Sequence, residues 1–105
     1  MISLLDIRAR VADGTLSAAD AIQTARERIA ARDPAIGAVL RLAPETTAVP
    51  ERRPLAGIAV GIKDIIDTAD MATESGSGIY AGWRPRADAA IVSRLRALGA
   101  VPLAK

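Results

Sequence analysis

The stretch Pro54-Leu55-Ala56-Gly57-Ile58-Ala59-Val60-Gly61-Ile62-Lys63-Asp64 reads as a turn, then a buried strand, then a lysine delivered at the strand's end. Side chains alternate across a strand, so Ile58, Val60 and Ile62 share one face while Ala59, Gly61 and Lys63 share the other. The large apolar face packs into a core. The opposite face stays small enough for another group to approach the lysine. A lysine works as a base only where its surroundings favour the neutral amine, and partial burial does this. Spacing alone leaves two readings open: a catalytic base, or a solvated lysine ending a strand beside Asp64, since most lysines are surface groups.

Downstream, Asp64 to Thr68 reads as a turn into another short strand, and Glu74-Ser75-Gly76-Ser77-Gly78 as a loop. Asp88 begins a helix with Ala89, Val92 and Leu95 on one face and Gly99 as its stop. Val101 to Lys105 opens a strand in which Pro102 suits a first or edge position. Upstream, Ser3 with Asp6 makes a capping box, Leu4, Ile7 and Val11 line one helix face, and Gly14 ends that helix. Ser17, with Asp20 three residues on, opens a second helix. Its stripe is Ala18, Ala21, Ile22, Ala25 and Ile29, and Asp33-Pro34 closes it. Ile36 to Leu42 is a short strand or a packed extension, and Pro44 to Pro54 an exposed connection with three prolines. Helices alternating with strands give an α/β class, incomplete.

Composition narrows the chemistry. The 105 residues are one domain or a piece of one, half hydrophobic, with one Trp, one Tyr and no Phe. Stacking platforms for single-stranded nucleic acid are therefore not expected. Fourteen basic residues stand against twelve acidic ones for a net charge of +2, so the high isoelectric point reflects arginine content rather than a basic surface. Arg52-Arg53 is the only adjacent basic pair, and a solvated loop explains it better than a phosphate contact. Cysteine and histidine are absent. This removes disulfides, thiol nucleophiles, Ser-His and Cys-His catalysis and the usual zinc sites. The start, Met1-Ile2-Ser3-Leu4-Leu5, carries neither a basic leader nor a long apolar run, so cytoplasm is the expected location and no membrane or nucleic-acid partner is expected.

Other motifs read better as structure. Gly76-x-Gly78 with Gly82 departs from a dinucleotide fingerprint, its third glycine one residue late and no helix opening after it. Asp64, Asp67, Asp70 and Glu74 recur every three to four residues but lack the glycine and spacing of a calcium loop, so turn and cap duties fit them better. Ser75 and Ser77 lie far enough after Lys63 for their loop to fold back beside it, and serine with lysine can form a histidine-free nucleophile pair. Small serines in a glycine-rich loop more often serve backbone freedom.

Taken together, Pro54 to Asp64, Thr73 to Ser77, Tyr80 to Pro85, Asp88 to Ala100 and Val101 to Lys105 resemble five ordered motifs that open the amidase signature family of amide hydrolases. Ser17-Ala18-Ala19-Asp20 and Asp33-Pro34 resemble its N-terminal arm, so the resemblance covers nearly the whole chain. It departs at Ala59, usually proline, at Ala72 and Glu74, and at Ala104, usually glycine before the lysine matched by Lys105. The resemblance implies a helical arm over 1–43 and then, over 54–105, the start of a catalytic α/β core: the first strands and helix of a larger mixed sheet, incomplete. It implies a Ser-Ser-Lys relay that forms an acyl-enzyme, without metal or organic cofactor. Only the lysine, Lys63, falls within the chain. Ser75 and Ser77 become structural, and the bridging and nucleophilic serines lie further along. The expectation is therefore an N-terminal portion of an enzyme acting on a small amide, inactive alone, with the missing C-terminal portion or a homo-oligomer as partner. The alternatives are a small binding module, or one half of a split amidase or amidotransferase subunit.

Overall fold

The computed structural model describes residues 3–105, and the reading made on Met1 and Ile2 lies outside them. Two helices come first, α1 (Leu4–Ala12) and α2 (Ala18–Ile36). Ser3 accepts from the Asp6 N–H while the Asp6 carboxylate accepts from the Ser3 N–H, completing the expected capping box. Ser17 caps α2 through the Asp20 N–H at 3.0 Å. Each cap satisfies one of the amide donors that the first turn leaves without a partner.

Asp33-Pro34 does not close α2. The helix passes through Pro34 and stops at Gly37, which is left-handed (φ 67°) and donates to the Asp33 carbonyl. A proline in the last turn forfeits a single ladder bond and leaves little helix after it to be deflected. The Asp33 carboxylate then accepts from the Ala38 and Val39 N–H groups and turns the chain away from the helix.

The sheet is formed by β1 (Ala59–Gly61) and β2 (Val101–Ala104), which run parallel with Ala59 opposite Val101. Between them lie a single 3-10 turn (Gly78–Tyr80) and α3 (Ala90–Ala97), as the crossover of a parallel pair requires. The short strand expected after Asp64 does not form. The Thr68–Met71 bridge is isolated, and the chain there follows turns fixed by side-chain bonds.

On its other side β2 takes the 40–43 segment antiparallel: Ala43 donates to the Leu103 carbonyl and Lys105 to the Arg41 carbonyl. Of the two readings for Ile36 to Leu42, Ile36 ends α2 and the last residues pair as a strand edge. This makes β2 central rather than an edge. Pro102 is tolerated there because pairing with the 40–43 segment begins at Leu103, so no ladder bond is asked of the missing N–H.

α2 lies across this sheet. Ile22 packs with Val101 and Leu103, flanked by Ala25, Ile29, Val49 and Ala59. Ala18 and Ala21 are buried as the stripe predicted. α3 covers β2 through the fully buried Val92. It starts two residues later than its acid suggested: Ala89 is the N-cap position, and the Asp88 carboxylate instead accepts from the Ala69 N–H and from Arg96. Three helices and two parallel strands, with further pairing capacity along β1, form an α/β unit whose sheet is incomplete. No helix among the described residues is long and apolar enough to cross a membrane.

Candidate active site

Ile58 and Ile62 are buried and Val60 is half-buried, as the alternation predicted. The opposite face is divided. Ala59 is covered by the α2 core, whereas Gly61 and Lys63 face out, and a Cβ built on Gly61 would meet nothing within 4 Å. The approach to the lysine is therefore open at Gly61 and closed one step earlier.

Lys63 itself lies two residues past Gly61, the last residue of β1. The residue before it is tied to β2, with the Ile62 N–H donating to the Ala104 carbonyl at 2.8 Å. Its own carbonyl accepts from the Ile66 N–H at 2.9 Å, closing a turn. The side chain is exposed and lines a groove of about 470 Å³, together with Val39, Leu40, Gly61, Asp64 and Lys105. A larger groove, about 1130 Å³, lies away from this lysine, between the α1–α2 turn and the exposed Arg52-Arg53 loop.

The second lysine of the groove has the opposite character. Lys105 is buried, and its Nζ donates to the Ile66 carbonyl at 2.8 Å and to the Thr73 hydroxyl, with Asp64 Oδ1 at 3.8 Å. Burial pushes its ammonium below the ordinary lysine range; Asp64 opposes that shift and Arg41 adds to it. Arg41 donates to Asp64 Oδ1 at 2.6 Å, to the Ala72 carbonyl at 2.9 Å and to Glu74. The motif match reached Lys105 only as a strand end, and nothing in the sequence marked Arg41. Its partners are 23 to 33 residues away, beyond any local pattern.

The four spaced acids separate. Asp64 and Glu74 engage Arg41, Asp70 pairs with Arg96, and the Asp67 carbonyl accepts from the Ala89 N–H, so turn and packing duties account for their places. The serine loop does fold back: the Ser75 N–H donates to the Asp64 carbonyl at 2.9 Å. Ser75 is left-handed at φ 53°, and the Ser77 hydroxyl caps the 3-10 turn through the Ile79 N–H. Among the described residues neither hydroxyl bonds to Lys63.

The sequence model of the Amidase family matches residues 13–105. The chain belongs to the amidase signature family. It is 40% identical to a glutamyl-tRNA(Gln) amidotransferase subunit from Salinispora arenicola, over 99% of its own length and 24% of that protein's. Against the corresponding protein from Thermus thermophilus it is 41% identical, over 95% of its length and 22% of the relative's. Among solved structures, the peptide amidase PAM in complex with the competitive inhibitor chymostatin superposes with a TM-score of 0.87 at 38% identity, over 98% of this chain and 24% of that one. The chain thus spans about a quarter of the length of the relatives it matches, and corresponds to the N-terminal portion of this family's fold.

Proposed function

We propose that this amidase-family chain supplies the lysine base for cleavage of a carbon–nitrogen amide bond, and that Lys63 is that base. The observation that carries this reading is the placement of Lys63: at the end of a strand, its backbone fixed on both sides, its amine in a groove left open by Gly61. In the reaction the neutral Nζ accepts a proton from a bridging serine. That serine takes the proton of a second serine, whose oxygen attacks the amide carbonyl; the C–N bond breaks, the amine leaves with the proton handed back by the relay, and water hydrolyses the remaining acyl-enzyme, releasing the acid and returning a proton to the second serine. Both serines belong to sequence beyond the quarter matched here.

The chain by itself is inactive in this reading, because it lacks the nucleophile, whose loss removes the covalent route. The partner is accordingly the C-terminal portion of an amidase, as part of the same polypeptide or as a separate chain. The substrate is a small amide and the site of action the cytoplasm. The relatives named as amidotransferase subunits support an assembly of several chains.

The test is a chimera in which this chain replaces the matching N-terminal quarter of the peptide amidase. Hydrolysis of a peptide amide by the chimera, abolished by Lys63→Met with the melting curve unchanged, is the expected result. Turnover that survives Lys63→Met overturns the assignment, as does activity of the 105-residue chain that is lost on Ser75→Ala or Ser77→Ala.

A further inference from the structure

The chain contains two lysines, Lys63 and Lys105, and both border one groove. One is exposed, and its amine makes no hydrogen bond among the described residues. The other is buried and bonded to two oxygens. We propose that Lys105 and Arg41 are positioning residues for Lys63: together they hold Asp64 and the turn behind it, and so fix where the Lys63 amine enters the groove. This inference rests on the reading of Lys63 as the base.

The contacts converge on Asp64, where every polar group beyond its own N–H is engaged. Oδ1 accepts from Arg41 at 2.6 Å and lies 3.8 Å from the Lys105 ammonium. Oδ2 accepts from the Glu74 N–H at 3.3 Å, and the main-chain carbonyl accepts from the Ser75 N–H. Lys105 also reaches across the turn to the Ile66 carbonyl and the Thr73 hydroxyl. The residues on both sides of the turn, Ile66 and Thr73, are thereby tied to the residue that follows β2.

The main chain closes the same ring. Lys105 N–H donates to the Arg41 carbonyl at 3.0 Å, so the two cations are set by neighbouring backbone groups rather than by independent loops. Arg41 then carries its other amine to Glu74, whose second oxygen accepts from the Gly82 N–H at 2.7 Å. Two cations facing two carboxylates keep a buried group from standing unpaired. Ser75 is held left-handed inside this ring, a conformation that survives in a non-glycine residue only where the surroundings over-determine it. Of the adjacent pair Lys63 and Asp64, only the lysine side chain is left free for chemistry.

A catalytic base must be held to within a fraction of an ångström, and its supporting shell supplies that constraint. The test uses uniformly 15N-labelled chain and backbone order parameters. In the unaltered protein the Lys63 amide behaves as rigid backbone, about 0.85, and in Asp64→Asn and Lys105→Met it falls below about 0.6. The Val92 amide in α3 stays rigid in both and reports that the fold persists. If Lys105→Met loses Val92 order as well, Asp64→Asn, which keeps the side-chain shape, decides. In the chimera with the peptide amidase, Asp64→Asn lowers kcat at least about tenfold with KM unchanged, the signature of a group acting through the base. Unchanged Lys63 order in Asp64→Asn, or unchanged kcat in a chimera that Lys63→Met inactivates, overturns the proposal. Turnover that survives Lys63→Met instead overturns the base assignment and leaves the order-parameter result to judge the clamp alone.

Discussion

The helical arm and the strand-and-loop half of this molecule are held together in different ways. α1 has no buried residue and α2 buries three of nineteen, whereas all of β2 is buried. The arm is organised mainly by caps and hydrogen bonds a few residues apart, with Arg26 of α2 reaching further, to the Ala43 and Pro44 carbonyls. The other half is organised by Arg41, Lys105 and Arg96, whose side chains reach partners 8 to 41 residues distant. Local bonding makes the arm readable and replaceable. Distant bonding makes the Lys63 region dependent on the whole sheet being present.

The sharpest way to break this contrast is to remove the contact that joins the halves. Leu103→Ala empties the position where β2 meets Ile22 of α2 and is expected to cost about 2–5 kcal/mol, read by denaturant unfolding. A loss below about 1 kcal/mol would show that the arm and sheet are not packed as one core. Gly57→Ala attacks the junction from the strand's side, against α1 and α2. Gly57 is left-handed at φ 76°, and an added Cβ would come within 3.0 Å of Val11 and 3.2 Å of Ala21. The conformational cost alone is about 1–2 kcal/mol, and the crowding should lift α1 away, seen as faster amide exchange in α1 than in α3.

Within the arm the effects are smaller. Ser17→Ala removes the α2 cap and is expected to cost about 1 kcal/mol, with Ser17→Gly costing only a few tenths. A much larger loss would mean that Ser17 does more than satisfy the Asp20 amide. On the other side of the comparison, Ser75→Gly relieves a left-handed serine and should stabilise by up to about 1 kcal/mol. Destabilisation would give the Ser75 side chain a part that its backbone does not explain.

The smallest effect is a titration. The Lys105 side-chain signal should titrate below the ordinary lysine value of 10.5, lower still in Asp64→Asn, and higher in Arg41→Met, which removes a repelling charge. Between the depressed folded value and 10.5 the unfolded chain binds more protons than the folded one. Stability therefore rises with pH across that interval, and Lys105→Met lacks the rise. A Lys105 value at or above 10.5 contradicts the buried placement.

Much of the fold is legible in the sequence. The stripe from Ala18 to Ile29, both serine caps, the strand into Lys63 and the stop at Gly99 follow from periodicities and end signals that act over one or two turns. Expectation and structure part where a local signal is overruled at a distance. Pro34 has the look of a helix end, but Gly37 and the Asp33 carboxylate supply a better one three residues on. Asp88 has the look of a cap, but Arg96 and the Ala69 amide claim it. Pro102 suits an edge, but β2 is central because the 40–43 segment returns beside it.

The amidase kinship and the candidacy of Lys63 were determined by the sequence alone, since ordered motifs at set spacings need no coordinates to be recognised. What surrounds that lysine was decided only in three dimensions. No spacing rule relates Arg41 to Asp64 or Lys105 to Ile66 and Thr73, because an ion pair across a sheet depends on which segments the fold brings together. Composition also could not say which lysine is buried. Lys63 and Lys105 each follow a short strand, and only the closure of the 63–74 turn onto Lys105 buries that amine while the Lys63 amine stays exposed in the groove.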